Sequence, residues 1–549
     1  MTGTGREDGG DGMTETGRAD GGGRGDGMAG DRGLVAAGSA ATAGIGVDIL
    51  RRGGNAADAA VAAALGTAGG EPPLTSLAGG GVLLHHRADS GRVEICDFSP
   101  DTPGRGSGPP ADGEFFPVEL QFGPARQVFH IGRAAAAVPA GLEGLLAAHR
   151  RWGRLPLAEL VEPVCRLLRR GIALDTFQQS CIDLLAPILL HSAGSRRVFT
   201  SGGRLLRAGD RARNPELADT LEQLAALGWR AFRERVWWPA VLADFGPRAG
   251  GLISEADLEA YRPDFRPPLA RRYRGQQIFL PPAPAAGGAL IGLTLALLER
   301  RPLGDSRRGS ALHLRALLAA MRTVQRARAS GGDPLQPAAL ERLGREFDRA
   351  CAAPPTGQPP GPPAEGATTH ISAVDAAGNA AAVTLSHGEG CGYAIGRTGI
   401  IMNNMLGEAD LHPAGFHRSP PGRRLATMMS PSLIRAADGG LTVLGSGGAN
   451  RIRTAIAQVV SNLIDFGLEP QAAVDAGRLH WESGVLNAEL FDLPGGRSTI
   501  AAVHPADEQL LTFDRPHLFF GGVHLARRQA DGRLDGGGDR RRSGAVERA

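Results

Sequence analysis

Lysine is absent from this chain: all 60 basic residues are arginine, set against 57 acidic ones, for a formal net charge of +3. The two signs are interspersed and no basic stripe alternates with aromatics, so the pattern gives no footing for nucleic-acid binding. Cysteine is scarce. Cys96, Cys165, Cys181, Cys351 and Cys391 stand without a C-x-x-C pair or a histidine partner, which argues against a zinc site and indicates no disulfide framework. The sequence calls for no metal and no cofactor. No apolar run reaches the roughly 18–20 residues of a membrane span, so no membrane partner is expected. Residues 1–32 lack the apolar stretch of a signal peptide; they are expected to form a disordered tail, and the protein to stay in the cytoplasm.

What is present is a large globular chain. With 549 residues, 42% of them hydrophobic and 5% aromatic, it can bury a sizeable core as one big or two closely packed domains. Order is expected from Gly33. "AATAGIGVDILRRGGNAADAAVAAALGTAGG" reads as two helices: Ile45, Val47, Ile49 and Leu50 lie in the first, Gly53 and Gly54 stop it, and Asn55 caps the second. The second, Ala56 to Gly66, is alanine-rich enough to be buried on every side. Residues 77–86 and 92–98 read as adjacent strands. Four segments then carry helical spacing, "AGLEGLLAAHRRWG", "LAELVEPVCRLLRRG", "PELADTLEQLAALG" and "GGALIGLTLALLE". The proline-broken linker 352–367 fits no packed element. Beyond it the pattern predicts a hairpin over 370–375 and 380–386, strands at 399–404, 430–436 and 441–446, and a helix in "NRIRTAIAQVVSNLIDFG".

Thr368 and Thr369 sit where that linker meets the first strand. A threonine hydroxyl is a poor nucleophile alone, but a free α-amino group on the same residue, with a pKa of about 8, can serve as its general base. Cutting the peptide bond before such a threonine creates the catalyst. On local pattern alone the favoured reading is two ordinary β-branched residues opening a strand.

The stretch "ATTHISAVDAAGNAAAVTLS" followed by "GIIMNNML" resembles the start of the small subunit in the γ-glutamyltranspeptidase family. "RRGGNAADAAVAAALGTAGGEPPLTSLAGGGVLL", "VPAGLEGLLAAHRRWGRLPLAELVEPV", "GLISEADLEAYRPDFRPPLARRYRG", "PPAPAAGGALI" and "LGSGGANRIRTAIAQVVSNLIDFGLEP" are similar to further blocks of that family, in its order, over nearly the whole chain. The resemblance implies an α+β fold, the four-layer αββα sandwich of N-terminal nucleophile hydrolases. It also implies self-cleavage between Ala367 and Thr368 into a large subunit of residues 33–367, preceded by the tail, and a small subunit of residues 368–549, partners from one precursor. Thr368 matches the nucleophile and Ser386 the hydroxyl residue that orients it. Gly447 and Gly448 match the oxyanion-hole loop, with Ala449 as the alternative for the second position.

The substrate side departs from the family. Where members carry an arginine that clamps the glutamyl α-carboxylate, this chain has Ser99. Gly388 replaces an asparagine, Met405 follows Asn403-Asn404 where the family has Gln or Glu, and Glu408 stands for the aspartate that receives the amino group. The family's Ser-Ser pair becomes Thr427-Met428, or Ala426-Thr427 in the neighbouring register. Three readings follow. The chain is a self-processing threonine amidohydrolase or acyltransferase acting on a small-molecule acyl amide that need not be γ-glutamyl, or an orthodox γ-glutamyl hydrolase or transpeptidase acting on glutathione. The third is an inert binding relative. His370 is expected to be a packed or surface histidine, and His387 lies near the site in sequence.

Overall fold

The computed structural model describes residues 32–106, 113–122, 125–352, 367–505 and 508–549. The expected tail and linker fall almost wholly outside these residues. In chain order the strands of the two central sheets are β1 (Gly33–Ala37), β2 (Gly80–His86), β3 (Val93–Phe98), β4 (Asp264–Arg266), β5 (Leu269–Tyr273), β6 (Gln276–Leu280), β7 (Thr369–Asp375), β8 (Ala380–Ser386), β9 (Ser432–Arg435), β10 (Leu441–Gly447), β11 (Gly522–Arg528), β12 (Leu534–Gly538) and β13 (Ala545–Arg548). The helices that cover them include α1 (Ala40–Arg51), α2 (Ala56–Gly70), α3 (Gly141–Trp152), α4 (Leu157–Arg170), α5 (Ala286–Leu298), α6 (Ala311–Ser330) and α7 (Arg451–Ile464).

Period-two alternation assigns the layers. The first sheet runs β4-β3-β2-β8-β7-β1-β13 and the second β5-β6-β9-β10-β11-β12. Leu34, Val82, Leu84, Val374 and Ala382 of the first sheet meet Leu433, Val443 and Ala526 of the second in one buried cluster. Their neighbours Val35, Leu83, Ile371, Ala381 and Val383 point the other way and pack under α1 to α4. Ile278, Leu444 and Leu525 do the same for the second sheet under α5 to α7. The result is helix, sheet, sheet, helix. Each fully buried Val or Leu here contributes roughly 1.5–3 kcal/mol relative to exposure.

Local chemistry sets the elements around the site. Asn55 accepts from the Asp58 N–H at 2.9 Å while Asp58 accepts from the Asn55 N–H at 3.0 Å, a reciprocal cap that starts α2. Of α2's residues only Ala68 is not buried, and small alanines let sheet and helices close on it from all sides. The β7–β8 hairpin turns at Gly378, φ +88°. Asp375 ties this turn by accepting from the N–H and side-chain amide of Asn379, both at 2.9 Å.

Two expectations change. The second helix runs on to Gly70, because nothing stops it before Pro72-Pro73. "GIIMNN" is not a strand: Ile401 and Met402 make only isolated bridges, to Ala394 and Ala78. Its apolar residues are drawn inward without a partner strand; Ile400 and Met402 join the core under α1 to α4.

Candidate active site

The register of the first sheet brings the expected residues to one end of it. Thr369 pairs with Leu385, so one step earlier Thr368 comes beside Ser386, which itself pairs with Gly80 on β2. Gly81 pairs with Phe98, which puts Ser99 just past the end of β3. At about 4.8 Å per strand, Ser99 lies roughly 14 Å from Thr368.

The junction is gripped at several points. Ser386 Oγ donates to the Ala367 carbonyl at 2.7 Å and accepts from the Gly388 N–H at 3.1 Å. Glu389 accepts from the Ala367 N–H at 2.8 Å. Arg542 Nη1 donates to the Thr368 carbonyl at 3.1 Å, and the Thr369 hydroxyl donates to Glu71. Thr368 is only 4% exposed, yet its Oγ1 makes no hydrogen bond among the described residues and it lines a narrow cavity of about 30 Å³. Ser386, Glu408, Asp410, Thr427, Met428 and Ala449 share that cavity's wall.

The turn between β10 and α7 closes it from the other sheet. A Cβ on Gly447 would come within 2.1 Å of the Thr368 carbonyl oxygen, so only glycine lets the two sheets meet there. Gly448 takes φ +115° and Ala449 φ +45°, left-handed conformations that bend the chain into α7. Of the three candidates Ala449 lines the cavity, whereas the expected Gly447 and Gly448 do not. Amide groups at a helix start are oriented to receive negative charge.

The substrate-side residues divide. Glu408, Thr427 and Met428 line the cavity, whereas Asn404 and Ser99 do not. Asn404 instead accepts from the Glu389 N–H at 2.8 Å and donates to the His130 carbonyl at 3.3 Å, holding the 386–389 turn. Ser99 is buried, its hydroxyl has no partner among the described residues, and its carbonyl accepts from Tyr261 at 3.2 Å. Arg424, which reaches that strand end, is already engaged with Asp101 at 2.9 Å, the Asp97 carbonyl at 2.8 Å and the Arg262 carbonyl at 2.7 Å. Gly388 has a physical reason: at φ +66°, its Cβ would stand 2.1 Å from Asn404 Oδ1 and 2.2 Å from Glu408 Oε1. The longer acidic side chain at 408 fills the space a side chain at 388 needs.

Burial, with Asp410 and Glu389 as like-charged neighbours, pushes the Glu408 carboxyl well above the usual carboxylate range. Burial likewise raises Glu71 to about 7, opposed by the Thr369 hydroxyl and the Arg542 charge. His370 is fully buried between Thr384 and Ser372, bonded at 2.8 and 2.9 Å, and burial keeps it neutral. His387 is buried as well and its pKa falls to about 4. Sequence reasoning missed Glu71, Glu389 and Arg542. Glu389 carried a signal, three residues after Ser386 in a glycine-rich turn; Arg542, in an arginine run far from Thr368, carried none.

Comparison with known proteins shows what the chain is similar to. The Gamma-glutamyltranspeptidase family model matches residues 42–549. The chain is 33% identical over 482 residues to the Acylase ACY 1 proenzyme of Pseudomonas sp. (strain SE83), covering 84% of each. It is 30% identical over 476 residues to the Glutathione hydrolase proenzyme of Escherichia coli (strain K12), covering 82% of this chain and 81% of that one. In fold it is similar to a cephalosporin acylase from Bacillus halodurans, with a TM-score of 0.75 at 22% identity, over 94% of this chain and 96% of that chain. Fold and sequence thus converge on the N-terminal nucleophile hydrolase class. Within that class, the chain belongs to the gamma-glutamyltranspeptidase family of enzymes.

Proposed function

We propose that this protein is a self-processing threonine amidohydrolase or acyltransferase whose acyl donor lacks the glutamate α-carboxylate. The observation that carries the reading is the 2.7 Å hydrogen bond from Ser386 Oγ to the Ala367 carbonyl, beside the unbonded Thr368 hydroxyl. That carbonyl is polarised where a neighbouring nucleophile needs it. Thr368 Oγ1 adds to the Ala367 carbonyl carbon, the C–N bond breaks, and the hydroxyl proton passes to the departing nitrogen, which becomes the α-amine of Thr368. Water then cleaves the resulting ester. The freed amine, with a pKa near 8, is the general base for turnover. A substrate amide is attacked in the same way, its oxyanion received by N–H groups of the 447–449 turn, and the acyl-Thr368 ester passes its acyl group to water or an amine.

The cavity wall supports this acyl class. Glu408, Asp410, Met405, Leu411, Met428 and Met429 offer carboxyl and apolar surface, with no cation among the lining residues. A carboxylate entering there forgoes a charge-assisted bond worth roughly 1.5–3 kcal/mol. The acylase named among the relatives is consistent with this. The retained acid at 408 favours a second reading, γ-glutamyl hydrolysis as in the glutathione hydrolases. Two measurements decide. Wild type should resolve on denaturing gels and by intact mass into chains 1–367 and 368–549, while Thr368→Ala stays single. Of two chromogenic amides, 4-aminobutyryl-p-nitroanilide should exceed γ-glutamyl-p-nitroanilide in kcat/KM by about tenfold or more. The reverse order restores the glutathione reading, and cleavage of Thr368→Ala at the same bond removes self-processing.

A further inference from the structure

The residue before the nucleophile is held at both of its backbone groups by one turn. Ser386, at the end of β8, takes the Ala367 carbonyl, and Glu389, three residues on, takes the Ala367 N–H at 2.8 Å. Gly388 at φ +66° and Gly390 at φ +83° flank Glu389, so the turn folds its side chain back toward the chain it has just paired with. The turn is itself pinned: the Glu389 N–H donates to Asn404 Oδ1, and Asn404 is anchored on His130. Glu389 is 3% exposed. Arg451 and Arg542 line the same small pocket as Ala367 and Glu389, with Leu74, Phe177 and Cys181 forming its apolar side. A carboxylate in a site of low dielectric binds an amide N–H more strongly than it would in water.

We propose that Glu389 is a positioning residue for self-cleavage, which rests on the self-processing reading above. Fixing the N–H and the C=O of Ala367 from one rigid turn fixes the peptide planes on both sides of its Cα. The carbonyl carbon is thereby fixed relative to Thr368 instead of turning about the Ala367 backbone. Intramolecular attack is steeply sensitive to such restriction. Glu389 touches neither the bond that forms nor the bond that breaks, and it takes no proton. Its part ends with cleavage: Ala367 then carries a new carboxylate close to the Glu389 carboxylate, and this repulsion favours departure of the linker.

The full-length chain tests this in a maturation time course, with first-order rate constants read from denaturing gels and intact mass. Cleavage of wild type in the parallel sample tests the reading above; the ratio of variant to wild-type rate tests Glu389. Glu389→Leu, which keeps bulk and loses the acceptor, should mature roughly tenfold to a hundredfold more slowly. Glu389→Gln retains an oxygen that accepts the N–H and should recover to within about threefold of wild type. Ala367→Pro, which removes the N–H and leaves Glu389 in place, should be as slow as Glu389→Leu. Wild-type speed in Glu389→Leu or Ala367→Pro overturns the proposal, as does a Glu389→Gln chain no faster than Glu389→Leu.

Discussion

Ser386→Ala is the sharpest perturbation of the site. It removes one oxygen with two duties: donation to the Ala367 carbonyl at 2.7 Å and acceptance from the Gly388 N–H at 3.1 Å. The second duty is structural. Leaving a buried N–H without a partner costs about 1–3 kcal/mol of stability, which a chain with so extensive a core tolerates. The first duty is kinetic. In the proposed self-cleavage, as Thr368 Oγ1 adds, the carbonyl oxygen gains negative charge and the bond to Ser386 strengthens, so its loss falls on the transition state. Removing one such donor typically costs about 2.7–4 kcal/mol, a hundredfold to a thousandfold in rate. Self-cleavage of Ser386→Ala, followed by gel densitometry of chain 368–549 at fixed temperature, should slow by that factor. Ser386→Thr, which keeps the hydroxyl, should mature within about tenfold of wild type. Maturation of Ser386→Ala at nearly the wild-type rate, with its fold intact by circular dichroism, would refute the reasoning.

Two further outcomes follow from the geometry. Gly388→Asn places a Cβ 2.1 Å from Asn404 Oδ1 and 2.2 Å from Glu408 Oε1, so alone it should destabilise by about 1–3 kcal/mol. Combined with the shorter Glu408→Asp, it should cost at least about 1 kcal/mol less than the sum of the two single changes, read as coupling in a denaturant double-mutant cycle; strict additivity counts against the shared space. Glu71, raised to about 7 in the folded chain from 4.5, keeps its proton on folding, whereas the unfolded chain has released it above pH 4.5. Its contribution to stability is therefore fully present below pH 4.5 and falls as pH rises through 7, by up to roughly 3 kcal/mol. Glu71→Gln should flatten the stability profile between pH 4.5 and 7; an unchanged profile rules Glu71 out as its source.

Much of this was legible in the sequence wherever the cause is local. The β7–β8 hairpin announces itself by alternation around Gly378-Asn379, and α7 by Ile452, Ala455, Ile456 and Val459, all buried as their spacing requires. Thr368 and Ser386 were legible together because a tight hairpin fixes their register. The 399–404 segment was misread because an apolar run carries no record of whether a partner strand lies beside it. Glu71 and Arg542 were illegible for a related reason. Each bonds the 368–369 junction from a distant part of the chain, and no local pattern encodes such a meeting. Asn404 could be picked out as a site residue, but only its hydrogen bonds reveal that it steadies the turn behind Thr368.

In the proposed self-processing, the strand order of the first sheet has a consequence for the life of the protein after cleavage. β1 lies between β7 and β13, and β8 pairs with β2 on its far side, so pieces on either side of Ala367/Thr368 are shuffled through one another. Before the cut, refolding is a one-molecule event in which the linker keeps both halves at high effective concentration. After it, the same sheet has to be rebuilt from two separate chains, at a rate set by dilution. On that proposal assembly is something the chain does once, before the cut, and the cut makes it close to irreversible. A sample denatured after maturation should recover poorly at low concentration, where Thr368→Ala recovers well.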